Sequence, residues 1–376
     1  MATTQTVDYV PLKLVVDEES NKVIFAEAGK DFVDILCSFL TFPLGTIIRL
    51  VQKESNTGPV TIGCLNNLYQ SVADLEKDCM KTETTKEMLL QPSYSLEDYC
   101  SDLKLNIDDS QPTIYYICKD FNGCYNSYVL STSSVCDGCG THLDPAVSLD
   151  KQFCNGFVNG GATFVITDDL RVIPNSMDFT SFRMLRSSGI KNITLVKEIA
   201  INVTKQKVLN LLKCSLVSKS TLTDSFLRTK PTPDKSSRIF AYNAENTNDI
   251  QITMKLVLRK SDGKILYAQA DHDFADLILS FLTFPLGGVV NKQAVYLRGI
   301  GEGYVKGPRT YVVTDNLVVT QSSPTSALHL INYFQTSLDN LKEKVINIGV
   351  NEVFSILKAS LTSTSTLTDG LGHLET

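Results

Sequence analysis

Residues Ser38-Phe39-Leu40-Thr41-Phe42-Pro43-Leu44-Gly45 return unchanged as Ser280-Phe281-Leu282-Thr283-Phe284-Pro285-Leu286-Gly287, 242 positions later in a chain of 376 residues. Aligning Lys13–Gly45 with Lys255–Gly287 gives 17 identities in 33, so the octapeptide is the best-preserved part of a repeated unit. Any fold for this chain must accommodate the same segment twice.

In each copy two short apolar runs precede the octapeptide. Lys13-Leu14-Val15-Val16 and Lys22-Val23-Ile24-Phe25 flank Asp17–Asn21, and in the second copy the connection is Ser261-Asp262-Gly263. Both read as hairpins, the second more strongly because Asp-Gly tolerates the positive φ of a tight turn. Helices are expected from Asp31 and Asp273. Phe32, Ile35, Leu36, Phe39 and Leu40 fall at helical spacing, and Pro43 must end or kink the helix. Within the octapeptide, Phe39 and Phe42 are expected in the core and Gly45 at a turn.

Beyond Val51 the copies differ in length: 104 residues separate the matched blocks in the first and nine in the second. Matching resumes at Gly156-Phe157-Val158 with Gly303-Tyr304-Val305. It continues through Thr163–Leu170 with Thr310–Leu317, two strands running into Asp-Asp or Asp-Asn turns. Each copy closes with a strand, an amphipathic helix (Lys205–Val217, Asn351–Leu361) and a hydroxyl-rich Ser-Thr-Leu-Thr-Asp at 220–224 and 365–369. That run reads as a cap or turn, with an anion site as the alternative.

The expected fold class is therefore α+β: two tandem copies of a hairpin–helix–hairpin–strand–helix unit, the first carrying a zinc-ribbon-like insertion. The first copy spans 1–228 with the insertion at 52–155, residues 229–246 have linker composition, and the second copy spans 247–376.

Inside the insertion Cys118, Cys124, Cys136 and Cys139 are grouped. Ile114–Ile117 reads as a strand ending at Cys118, and Tyr125–Leu130 as one starting just after Cys124. Cys136-Asp137-Gly138-Cys139-Gly140 supplies a second pair whose glycines let amides turn towards thiolates. Two such pairs suit a structural zinc within a module at about 112–145, where metal binding supplies free energy that so short a stretch lacks. Buried thiols or a redox pair are the other readings, and His142 is the substitute ligand. Four thiolates would leave no open position for water, which disfavours a catalytic metal.

Paired carboxylates recur at i, i+3 in both copies, Asp31/Asp34 and Asp273/Asp276, and are weak candidates for binding or acid–base chemistry against the plainer reading of helix caps. Four histidines sit at unmatched positions, and no nucleophile elbow, zinc-protease motif or phosphate loop is present. Arg298-Gly299-Ile300-Gly301-Glu302-Gly303 is superficially glycine-rich, but Pro308 soon after prevents the helix that phosphate binding needs.

The chain carries a net charge of −6, and residues 52–155 hold seven Lys, no Arg and fifteen Asp or Glu. A phosphate backbone should repel such a module, so nucleic acid is not the expected partner. Phe32–Val51 is as long as a bilayer-spanning helix but contains Asp34, Arg49 and Pro43, so it is read as buried rather than transmembrane. The start lacks a basic and then apolar leader, which gives an expectation of a cytoplasmic or nuclear protein, not secreted, with reduced cysteines.

The Lys13–Gly45 block, its echo at Lys255–Gly287, the cysteine insert and the Leu-Thr-Asp endings together resemble the plant proteins of the domain-of-unknown-function 674 family. Phe25–Asp34 and the octapeptide are the most specific segments, and the likeness covers nearly the whole chain. The resemblance implies a plant origin and the same duplicated architecture; it implies no activity. The expectation is a non-enzymatic binding or scaffold protein with protein partners. The alternative is a small-molecule binder or enzyme using a cleft between the copies.

Overall fold

The computed structural model describes residues 8–53, 61–94, 96–110, 116–118, 120, 124, 130–131, 135–136, 138–145, 156–175, 184–186, 193–228, 251–290 and 303–374. The chain divides into two compact units, Met1–Ser38 with Ser93–Val208 and Phe39–Pro92 with Leu209–Thr376. The division falls inside the helices Lys30–Thr41 and Lys205–Val217. The expected linker, 229–246, lies outside the described residues.

The first unit holds strands β1 (Val10–Asp17), β2 (Lys22–Gly29), β3 (Tyr116–Ile117), β4 (Leu130–Ser131), β5 (Asp144–Pro145), β6 (Thr163–Thr167), β7 (Val172–Pro174) and β8 (Val196–Val203). They form a five-stranded antiparallel sheet, β7-β6-β2-β1-β8, and a small sheet, β4-β3-β5. Alternation along β1 buries Val10, Leu12 and Leu14. A bulge between Val15 and Val16 then allows neighbouring residues to be buried. Val15, Ile24, Phe25 and Val165 make a second cluster, covered by Met184, Leu185 and Val196.

The second unit holds β9 (Ile252–Arg259), β10 (Ile265–Asp271), β11 (Thr310–Thr314), β12 (Val319–Gln321) and β13 (Leu341–Ile348), in the order β12-β11-β10-β9-β13. Its order corresponds strand for strand to the five-stranded sheet of the first unit, so each hairpin is flanked by the same neighbours. The expected Asp-Gly turn joins β9 to β10 with Gly263 at φ +69°. Asp271 accepts from the Phe274 amide and starts the helix His272–Ser280, which packs on β10 and β11. The aspartate turns are present in both sheets, each closed by a leucine at positive φ, Leu170 at 64° and Leu317 at 60°. The closing helices run Lys205–Val217 and Val350–Thr362, each followed by one short helix, Thr221–Phe226 and Thr366–Leu371. There the hydroxyl-rich segments are engaged locally: Ser218 donates to Asp224, the Ser365 amide to Ser363, and the Thr368 amide to Asp315.

Within the second unit the two octapeptides meet. Pro43 and Pro285 face each other in an antiparallel bridge. The Leu44 amide donates to the Phe284 carbonyl at 2.9 Å, and the Leu286 amide to the Phe42 carbonyl at 3.0 Å. The pairing is reciprocal, each copy using the same two positions. Pro43 does end the first helix, at Thr41, and the rest of the expected buried stretch Phe32–Val51 forms a separate helix, Leu44–Lys53, which buries seven residues.

Two expectations are corrected here. Gly45 is helical and buried rather than a turn residue: a Cβ there would stand 2.9 Å from the Leu89 carbonyl oxygen and 3.1 Å from that of Leu282. Gly287 stands likewise against Leu40, at 2.9 Å from its carbonyl oxygen. Leu40 itself is 50% exposed, whereas its counterpart Leu282 is buried.

Residues 52–155 do not behave as one module. Helices Leu65–Asp74 and Glu83–Leu90 belong to the second unit, where the Val319 amide donates to Ser71, the Cys64 amide to the Ser360 carbonyl, and Met80 bridges Val305. Leu65, Leu68 and Val72, all buried, give the first of these its apolar stripe. Among the described residues no helix is long and apolar enough to cross a membrane.

The octapeptide contact makes a direct prediction. Gly45→Ala and Gly287→Ala each place a methyl against a backbone carbonyl that cannot swing aside, so each should destabilise by about 1–3 kcal/mol despite the gain of up to about 1 kcal/mol in helix propensity. Gly288→Ala, whose nearest neighbour is the Pro285 ring at 3.3 Å, should cost less. Thermal melting of the three variants decides.

Candidate metal centre

Cys118 follows β3, and Cys136 and Cys139 lie in a turn closed by two backbone bonds, Gly140 N–H to the Cys136 carbonyl and Cys136 N–H to the Thr141 carbonyl. Gly140 sits at φ +71°, a conformation the missing side chain makes easy. Cys124 donates its amide to the Asp120 carbonyl. The four thiol sulfurs lie within 4.8 Å of one another, with Cys118 to Cys139 at 3.7 Å and Cys124 to Cys136 at 3.5 Å. A tetrahedral zinc with sulfur ligands at about 2.3 Å requires sulfur–sulfur edges of about 3.8 Å, so the donors fit a metal ion with small adjustments.

Cys118, Cys124 and Cys136 are buried, while Cys139 is more open. The Thr141 hydroxyl, 3.0 Å from the Cys139 sulfur, and the Thr141 amide stabilise its thiolate and draw its pKa down to about 6. Burial instead pushes the thiols of Cys37, Cys64, Cys79 and Cys214 up. His142 is not among the clustered donors; its backbone bridges Val135 and its side chain is exposed. Residues 114–115 and 125–129 of the two expected strands lie outside the described residues, which place β3 at Tyr116–Ile117 and β4 at Leu130–Ser131.

The paired aspartates have separate surroundings. Asp31 is exposed and ion-paired with Lys104 at 3.2 Å. Asp34, 3% exposed, accepts the amides of Phe157 and Val158 at 2.6 and 3.0 Å and is ion-paired with Lys30. In the second unit Asp276 accepts the amides of Tyr304 and Val305 at 2.6 and 2.8 Å. Burial pushes the Asp276 carboxyl up, while those two amides and the charges of Lys81 and His272 pull it down. Asp273 lies 3.5 Å from His272, the residue standing where the first copy has Lys30.

This geometry accounts for a match that the sequence left unexplained. Gly156 and Gly303 precede the amides that the aspartates hold, and a side chain at either would run into the carboxylate. Gly-Phe-Val and Gly-Tyr-Val are thus the loops pinned by Asp34 and Asp276. Among the described residues, the four cysteines form the one group of His, Cys, Asp or Glu side chains close enough to hold a metal.

A family model described as "Protein of unknown function (DUF674)" matches residues 6–302 and 301–372. No curated protein and no solved structure matches the chain.

Two outcomes follow for the site residues. In metal-free protein, iodoacetamide should label Cys139 with a rate that rises as pH passes about 6, well before Cys37 or Cys214 react. Asp276→Ala strands two amides and should cost about 1–3 kcal/mol, whereas Asp276→Asn keeps an acceptor. Because the fold favours the protonated Asp276, its contribution is full below 3.8 and is lost as pH rises through the raised value. Melting curves should therefore show Asp276→Asn gaining on the wild type as pH rises above 3.8.

Proposed function

The chain belongs to the DUF674 family, and we propose that it is a non-enzymatic intracellular plant protein whose role is to bind other proteins. Its frame is two copies of one α+β unit, and its cysteine insert is a structural zinc ribbon. The observation that carries this reading is the convergence of Cys118, Cys124, Cys136 and Cys139 to within 4.8 Å. Four soft thiolates in a tetrahedral arrangement select zinc, with no open position for a substrate or a catalytic water.

Two further observations support it. Asp34 and Asp276, the buried members of the paired aspartates, hold loop amides. The strands of the small sheet are two residues long, too short to order a module by themselves. A metal tying the ends of such strands supplies that order, and the acidic balance of residues 93–155, three Lys against nine Asp or Glu, suits a basic protein partner rather than nucleic acid.

Protein purified without chelator should contain about one zinc per chain by elemental analysis, and Cys136→Ser with Cys139→Ser should abolish it. Zinc-free wild type, or full zinc in the double variant, would overturn the reading.

A further inference from the structure

The sulfur separations that suit a metal also bring the thiols close enough for a second chemistry. Two sulfur contacts of hydrogen-bond length, Cys118 with Cys139 at 3.7 Å and Cys124 with Cys136 at 3.5 Å, take each thiol once, within a cluster whose four sulfurs lie within 4.8 Å of one another and also interact across the pairs. A disulfide needs its sulfurs at about 2.05 Å, so closing either gap takes about 1.5 Å of side-chain rotation. The pairs also differ in access: Cys124 and Cys136 are both buried, whereas Cys139 is the more open of the four.

We propose that this centre is a peroxide-responsive thiol switch, in which oxidation joins Cys118 to Cys139 and then Cys124 to Cys136 and ejects the metal. The ejected ion rests on the zinc reading above; the disulfide pairing rests on the sulfur contacts alone. In the first step the Cys139 thiolate attacks one peroxide oxygen, the O–O bond breaks, a sulfenic acid forms and the second oxygen leaves as water after taking up protons. The Cys118 thiolate then attacks the Cys139 sulfur, forming the S–S bond as the S–O bond breaks, and the departing hydroxide takes a proton from solvent to leave as a second water. Each disulfide thus reduces one peroxide. Losing Cys118 and Cys139 as ligands leaves the ion on two sulfurs, and the second peroxide removes those.

The remaining described cysteines give a contrast within the same molecule. Cys37, Cys64, Cys79, Cys100 and Cys214 lie outside the cluster, in the cores of the two units or beside them. Low peroxide should leave them as thiols.

The test titrates the full chain, as purified, with hydrogen peroxide while a chromophoric chelator reports zinc, free thiols are counted and disulfides are mapped by mass spectrometry. The expected result is loss of about four thiols and release of about one zinc per chain. The mapped bonds should be Cys118–Cys139 and Cys124–Cys136, with dithiothreitol and zinc restoring the starting state. Cys118→Ser should leave Cys139 at the sulfenic acid while Cys124–Cys136 still forms, so that about three thiols rather than about four are lost; should that variant fail to fold, the wild-type map decides. Zinc retained at full occupancy after oxidation, Cys139 driven to sulfinic acid without a bond to Cys118, or disulfides scattered onto Cys37 or Cys64 would each overturn the switch. If the purified chain proves zinc-free yet yields the two mapped bonds, the metal reading fails and the thiol pairing stands.

Discussion

The reciprocal bonds between the octapeptides, Leu44 to Phe284 and Leu286 to Phe42, join the two repeats inside the second unit and set how closely the backbones there approach. Each octapeptide is at once the surface that docks and the surface docked upon. Gly45 faces the Leu282 carbonyl and Gly287 the Leu40 carbonyl, so both glycines are held by close backbone approach. Phe42 and Leu44, each 1% exposed, bury the junction, and helix Leu44–Lys53 packs against the Phe281–Thr283 turn of the other octapeptide.

A second constraint works at shorter range. Asp34 and Asp276 each draw two consecutive amides onto a helix side chain, and a glycine clears the space. These bonds tie the strand that follows, β6 or β11, to the helix that precedes it. The environments have drifted: Lys30 neutralises Asp34 in the first unit, while His272 stands in the corresponding place in the second and the Asp276 carboxyl is pushed up by burial.

Much of this was legible in the sequence. Hairpins, helix starts at Asp31 and Asp273, the Pro43 stop and the aspartate turns follow from local rules, and the structure places them where alternation and turn residues put them. The four cysteines were legible too, because C-x2-C is a strong signal. What escaped notice depends on distant partners. The function of Gly45 requires Leu89 and Leu282, and the pinning role of Asp34 requires Phe157, 123 positions away. The helices at 65–74 and 83–90 could have been found, since Leu65, Leu68 and Val72 have helical spacing; treating 52–155 as a single insertion hid them. Their place in the second unit, beside β12 and the Ser360 carbonyl, was not readable from any local pattern.

The four-cysteine cluster is where fold and proposed role converge, because two-residue strands need something beyond their own hydrogen bonds to hold them. X-ray absorption at the zinc edge of the full-length protein tests that claim most directly. Four sulfur neighbours at about 2.3 Å with no nitrogen or oxygen in the first shell is the result predicted. A mixed shell containing imidazole or carboxylate would contradict it and move the metal away from Cys118, Cys124, Cys136 and Cys139.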